Sequence, residues 1–306
     1  MNARASRTRP SAPGPPRSPW DRRITVITLV TVGAALAAVA WFGLTSTVPE
    51  QTGGFPVVTT SPVPTYPVGN VDASEPSGMA PPGRDALAGY TRDYVTDFTG
   101  GDVPHGWNVF SGVPGGDPMG QFAASHVVIS NGILSLNTWR DPRFANKWVT
   151  GGICQCEAPR TYGAYFVRSR ITGGGPNEVQ LLWPASNVWP PEIDFNETGD
   201  RFKSTSWTVH WGTQNHIDQR SLIIDMTAWH TWGVLWSAHA ITFTADGKVW
   251  GRFTTIANIA RVPMTLDFEQ LAFCSAGRFC PSTPVSMKID WVAEYSPVTS
   301  SAGSAR

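Results

Sequence analysis

The stretch Glu192-Ile193-Asp194-Phe195-Asn196-Glu197 follows Trp189-Pro190-Pro191 and leads into Thr198-Gly199. It joins a restricted backbone to three carboxyls within six residues. Consecutive prolines exclude a helix interior and hold the residues before them extended. Extended backbone sends alternate side chains to opposite faces, so Glu192 and Asp194 share one face and Ile193 and Phe195 the other. Plain alternation would place Asn196 beside the acids and turn Glu197 away. A β-bulge after Asp194 absorbs one residue and returns Glu197 to the acid face; bulges often re-aim side chains beside active sites.

Three crowded carboxyls cannot all ionise easily, and at least one pKa must rise. That is a cost without a use on a structural strand. It suits glycosidic cleavage, which needs one carboxylate as nucleophile and one carboxylic acid to protonate the leaving oxygen. A retaining mechanism needs the two about 5–5.5 Å apart. Four effective steps along a flat strand separate Cα atoms by about 13 Å, so the strand must curve and the two glutamates lean together. Asp194, between them, can share a proton with Glu192. The competing reading is a solvated sheet face that happens to be acidic. Asn196-Glu197-Thr198 also fits an N-glycosylation sequon, read here as accidental because a strand in a cleft is not a surface loop.

The N-terminal third is organised differently. Residues 1–23 are basic and proline-rich, and residues 24–44 carry no charge. Twenty-one apolar or small residues suffice for a helix across about 30 Å of hydrocarbon. Basic residues ahead of it place the N-terminus in the cytoplasm and the rest outside. The alternative is a cleaved signal segment ending near Ala38-Val39-Ala40, but the apolar run exceeds the usual signal length. Residues 45–88, rich in Pro, Gly, Ser and Thr without apolar periodicity, read as an extended linker. Residues 298–306 read as a frayed tail.

Residues 89–297 read as one all-β sandwich. His126–Ser130 and Ile133–Thr138 alternate on either side of Asn131-Gly132; Ala240–Ala245 and Lys248–Phe253 do so around Asp246-Gly247. Both dipeptides are strong hairpin signals. In 162–171, Tyr165, Val167 and Ile171 face away from Arg168 and Arg170. Val285, Met287, Ile289, Trp291, Ala293 and Tyr295 read as one apolar face of a long last strand. Many short strands with Gly, Asn and Pro turns indicate packed antiparallel sheets.

Glu192–Glu197 resembles the signature of glycoside hydrolase family 16 in its bulged form. Further resemblances are Asp97-Phe98 with Gly106-Trp107-Asn108, the strand Tyr162–Arg170, Trp229–Trp236 followed by Asp246-Gly247-Lys248, and the closing strand Met287–Tyr295. The resemblance implies a two-sheet antiparallel β-jelly roll. It implies Glu192 as nucleophile, Asp194 as assisting acid and Glu197 as acid/base. It implies internal attack on a β-linked polysaccharide, with β-1,3- or mixed-linkage glucan favoured and galactan possible. Residues 177–184 depart from the aromatic-rich strand usual in laminarinases, which places the departure in the cleft.

Substrate contacts are expected from Trp189, Trp183, His210, Trp211 and Gln180. If the strand through 203–211 pairs with the acid strand, His210 reaches Asp194 or Glu197. The four cysteines, Cys154, Cys156, Cys274 and Cys280, allow three pairings, with Cys274–Cys280 slightly preferred; disulfides suit an exported domain. Cysteine spacing matches no common zinc finger. No cofactor is needed, and a structural calcium, seen in parts of the family, is not readable from these residues. With 23 basic and 23 acidic residues, there is no electrostatic case for nucleic acid. Fourteen Trp suit stacking on sugar faces, although most Trp in any domain are packing residues. The expectation is a monomeric, membrane-anchored, extracytoplasmic retaining hydrolase. A transglycosylase on the same residues and a non-catalytic glycan-binding envelope protein are the alternatives.

Overall fold

The computed structural model describes residues 65–298 except 116 and 275–276. The expected cytoplasmic segment, the anchor, the first part of the linker and all but the start of the tail lie outside the described residues. The first strands are β1 (Asn70–Val71), β2 (Met79–Ala80), β3 (Tyr90–Thr96), β4 (Asn108–Val109), β5 (Val127–Ser130) and β6 (Ile133–Asp141). The middle of the chain forms β7 (Lys147–Val149), β8 (Gly152–Cys154), β9 (Gly163–Ile171), β10 (Asn177–Pro184), β11 (Glu192–Glu197) and β12 (Ser204–Trp211). The last are β13 (His216–Ile223), β14 (His230–Trp236), β15 (Ile241–Ala245), β16 (Lys248–Phe253), β17 (Met264–Leu271) and β18 (Val285–Pro297).

Two antiparallel sheets hold nearly all of these. One runs β13-β12-β11-β10-β17-β8-β4 and contains the acid strand. The other runs β16-β15-β14-β9-β18-β6-β5, with β3 beside β18 and β7 beside β6. The two hairpin dipeptides behave as read: Asn131-Gly132 and Asp246-Gly247 all have positive φ, which a two-residue turn of this hand requires. Ser130 pairs with Ile133 and Ala245 with Lys248.

The core lies between the sheets. Leu182, Ile193, Phe195, Trp207 and Phe268 of the first meet Tyr165, Val167, Trp232 and Phe243 of the second. Trp207 stacks on Phe243 with ring centroids 4.7 Å apart. Each such fully buried large side chain contributes roughly 1.5–3 kcal/mol relative to exposure.

Two sequence expectations are corrected here. The last strand does not keep one apolar face. Its register with β9 shifts between Ile289 and Trp291, so Met287, Ile289 and Val292 enter the core while Trp291, Ala293 and Tyr295 emerge on the outer face with Phe166. Nor does the linker extend to residue 88. Residues 65–88 form a strap over that outer face. The Trp291 indole donates to Met79 O (2.8 Å), Tyr295 Oη to Gly83 O (2.8 Å) and Thr231 Oγ1 to Val68 O (2.8 Å). Leu87 is buried against the same aromatic cluster. The strap exists because the face flip in β18 leaves an apolar outer surface to cover.

Candidate active site

The acid strand carries the predicted bulge. In β12, Thr208 pairs with Asp194 and Ser206 with Glu197, so three residues of β11 span two of its neighbour. The register with β10 shifts at the same place. Ile193 and Phe195 are buried in the core, and Asn196 is tied down by the Thr205 hydroxyl, which donates to Asn196 Oδ1 at 2.6 Å. Glu197 thereby returns to the face of Glu192 and Asp194.

Each acid has its own surroundings. Glu192 Oε2 accepts from the Trp189 indole at 2.6 Å. His210, paired with Glu192 across the strands, places Nε2 3.5 Å from Asp194 Oδ2 and 3.9 Å from Glu192 Oε2. Its Nδ1 donates to Asn215 Oδ1 at 2.8 Å, which orients the ring. Glu197 accepts from Thr208 Oγ1 (2.8 Å) and Asn177 Nδ2 (3.0 Å), and Gln219 donates in turn to Thr208 (2.9 Å). Burial raises the Glu192 pKa; His210 and the Trp189 hydrogen bond oppose that rise, and the charge of Glu197 adds to it. Burial raises Asp194 well above the usual carboxylate range, and the charges of Glu192 and Glu197 raise it further. Asp194 therefore keeps a proton and donates it in a hydrogen bond to Glu192, which favours the ionised form of Glu192.

A cavity of about 760 Å³ opens beside Glu192, between β10, β17 and the loops around Phe110 and Phe122. Trp183 and Trp189 line it, as expected. Two expected contacts do not reach the cleft. Gln180 is fully buried and turns to the other sheet, donating to Ser169 Oγ at 2.5 Å. It has the opposite parity to Trp183 on the same strand. Trp211 shares the inward face of β12 with Trp207 and packs on Phe253 at 5.3 Å. The sequence reading missed Asp267 and Glu269, which line the cavity from β17. Burial lifts Asp267 to about 7 and Glu269 to about 8, with the charge of Glu192 adding to both. Their signal was present: Thr265, Asp267, Glu269 and Leu271 alternate with Met264, Leu266, Phe268 and Gln270. Among the described residues, Glu192, Asp194 and His210 bring donor atoms within 4.8 Å of one another; these belong to the acid cluster already described. Cys154 pairs with Cys156 and Cys274 with Cys280; Cys156 borders the cavity.

The arrangement can hold one carboxylate ionised for attack and a second against a hydroxyl and two amides on the same face. The family described as glycosyl hydrolases family 16 matches residues 120–293. The endo-1,3-1,4-β-glycanase ExsH of Rhizobium meliloti (strain 1021) is 27% identical over 143 residues, 45% of this chain and 31% of that protein. The match thus spans about a third of that relative. Among solved structures, the catalytic domain of an endo-1,3-β-glucanase (laminarinase) from Thermotoga petrophila RKU-1 superposes with a TM-score of 0.59 at 16% identity. It covers 68% of this chain and 98% of that one. A Bacteroides ovatus mixed-linkage-glucan GH16 protein, in complex with a G4G4G3G product, superposes with a TM-score of 0.56 at 18% identity, covering 66% and 99%.

Proposed function

The chain belongs to glycoside hydrolase family 16, and on that premise we propose that it is a retaining, endo-acting hydrolase of a β-linked polysaccharide, with β-1,3- or mixed-linkage glucan the favoured class. The observation that carries this reading is the bulge in β11, which sets Glu197 on the face of Glu192 and Asp194. Glu192 attacks the anomeric carbon as Glu197 protonates the leaving glycosidic oxygen. Glu197, now ionised, takes a proton from water, which releases the sugar from Glu192 with the anomeric configuration restored. Asp194 stays protonated through the cycle, and its hydrogen bond favours the carboxylate that Glu192 becomes when the glycosyl-enzyme bond breaks. The ExsH likeness and the open cleft lined by Trp183 and Trp189 support an internal attack on glucan.

The location we propose is read from the sequence. The uncharged run 24–44 is read as an anchor that holds the domain outside the membrane. The disulfides Cys154–Cys156 and Cys274–Cys280 support an oxidising compartment.

The deciding experiment is digestion of barley mixed-linkage glucan and laminarin, with the first-formed anomer followed by NMR. The β-anomer should appear first, and Glu192→Gln should abolish release. An initial α-anomer, or unchanged release by the variant, would overturn the reading.

A further inference from the structure

Asp267 and Glu269 are not used by the two-step reaction, yet both project from β17 into the cavity beside Glu192. Asp267 is only 7% exposed. The Thr265 hydroxyl donates to its Oδ1 at 2.7 Å, and no protein donor among the described residues reaches Oδ2. Glu269 has no hydrogen-bond donor from the protein at all among them. The described residues lining the cavity include no Lys or Arg. The remaining wall is apolar, with Phe110, Phe122, Trp183 and Leu271, a surface that suits the flat face of a sugar ring. The buried Asp267 and the half-buried Glu269 thus offer spare acceptor oxygens in a pocket whose described lining carries no cation. A buried carboxyl is stabilised most by a cation placed against it.

We propose that this half of the cleft is a charge-selective subsite, in which Asp267 and Glu269 bind a sugar unit carrying a protonated amine in preference to a neutral unit. The subsite rests on the hydrolase reading, since the amine-bearing unit would belong to the chain being cut. As the ammonium enters, both acids give up their protons to solvent; it then donates to Asp267 Oδ2 and to the Glu269 carboxylate, and the ring lies along the aromatic wall. An anionic unit meets the same acids and is disfavoured.

The test is calorimetric binding of β-1,4-linked tetrasaccharides of glucosamine, N-acetylglucosamine and glucose, in a Glu192→Gln background so that nothing is cut. The glucosamine chain should bind at least about tenfold more tightly than either neutral chain, the scale of about one added charge-assisted hydrogen bond. The preference should shrink with added salt. Asp267→Asn with Glu269→Gln should remove it. Glu269→Gln alone, at a half-buried position without internal hydrogen bonds, should weaken it and guards against misfolding of the double variant. Equal affinities for the three chains would overturn the proposal. So would a preference unchanged in both variants, because it would then stem from the acid strand. The outcome is separable from the hydrolase reading, which is decided by glucan release, its first-formed anomer and its loss in Glu192→Gln.

Discussion

His210 and Thr208 sit two residues apart on β12, and each serves a different glutamate. His210 opposes the burial-driven rise in the Glu192 pKa. In the proposed mechanism Glu192 must be ionised to attack, so the acid limb of kcat/KM follows that pKa. His210→Gln should move the acid limb to higher pH, while the rate on the plateau changes less; a pH profile on soluble glucan checks this. Thr208 donates to Glu197 Oε2. Hydrogen bonds to charged groups are worth about 1.5–3 kcal/mol, so Thr208→Val should lower kcat by about 10- to 100-fold. KM should stay nearly constant if the bond steers the proton and not the substrate; steady-state kinetics separate the two. At this scale the clustering of the three acids was legible because Glu197 had only one route back to its partners. The errors at Gln180 and Trp211 were errors of parity. Gln180 cannot share a face with Trp183, nor Trp211 with His210, once the strands alternate.

Among the elements, the strap 65–88 is the one that composition concealed. Several of its contacts are made through backbone carbonyls at Val68, Met79 and Gly83, and Pro82 O accepts from Arg92 Nη1 in the same way. Carbonyls leave no side-chain pattern, so a Pro- and Gly-rich stretch read as linker. A chain beginning at Tyr90 would expose the Trp291 and Tyr295 polar groups and the pocket that holds Leu87. Three lost hydrogen bonds at about 0.5–1.5 kcal/mol each, together with roughly 1.5–3 kcal/mol for Leu87, put the loss at several kcal/mol. Thermal unfolding of chains beginning at Thr65 and at Tyr90 should show a clearly lower Tm for the shorter one. Hairpins were legible for the opposite reason: Asn131-Gly132 and Asp246-Gly247 announce their backbone angles in residue type. The shift of face at Asp290 was not, because a bulge inside a long strand adds a residue without altering the apolar count.

For the whole molecule, the buried carboxyls set an unusual response to pH. Burial lifts Glu178 and Glu269 to about 8 and Asp267 and Glu294 to about 7, against ordinary values of 4.5 for Glu and 3.8 for Asp. A folded-state pKa above the unfolded one means that the native protein binds more protons than the unfolded chain in that window. This contribution to stability is complete below the ordinary values and is lost as pH rises through about 7 to 8. The Asp141 carboxyl, held low chiefly by Arg143, acts in the other direction and loses its contribution only in strong acid. Unfolding followed by circular dichroism should therefore give a higher Tm near about pH 5 than near about pH 8. Glu178→Gln should flatten that slope, because Glu178 lies between the sheets, where Gln270 donates to it at 2.8 Å.

The strap and the cleft lie on opposite outer faces of the sandwich, the one over Trp291 and Tyr295, the other over Glu192. The chain thus enters along the back while the reaction faces forward. A linkage made directly ahead of Thr65 would therefore meet the back of the sandwich and not the cavity beside Glu192.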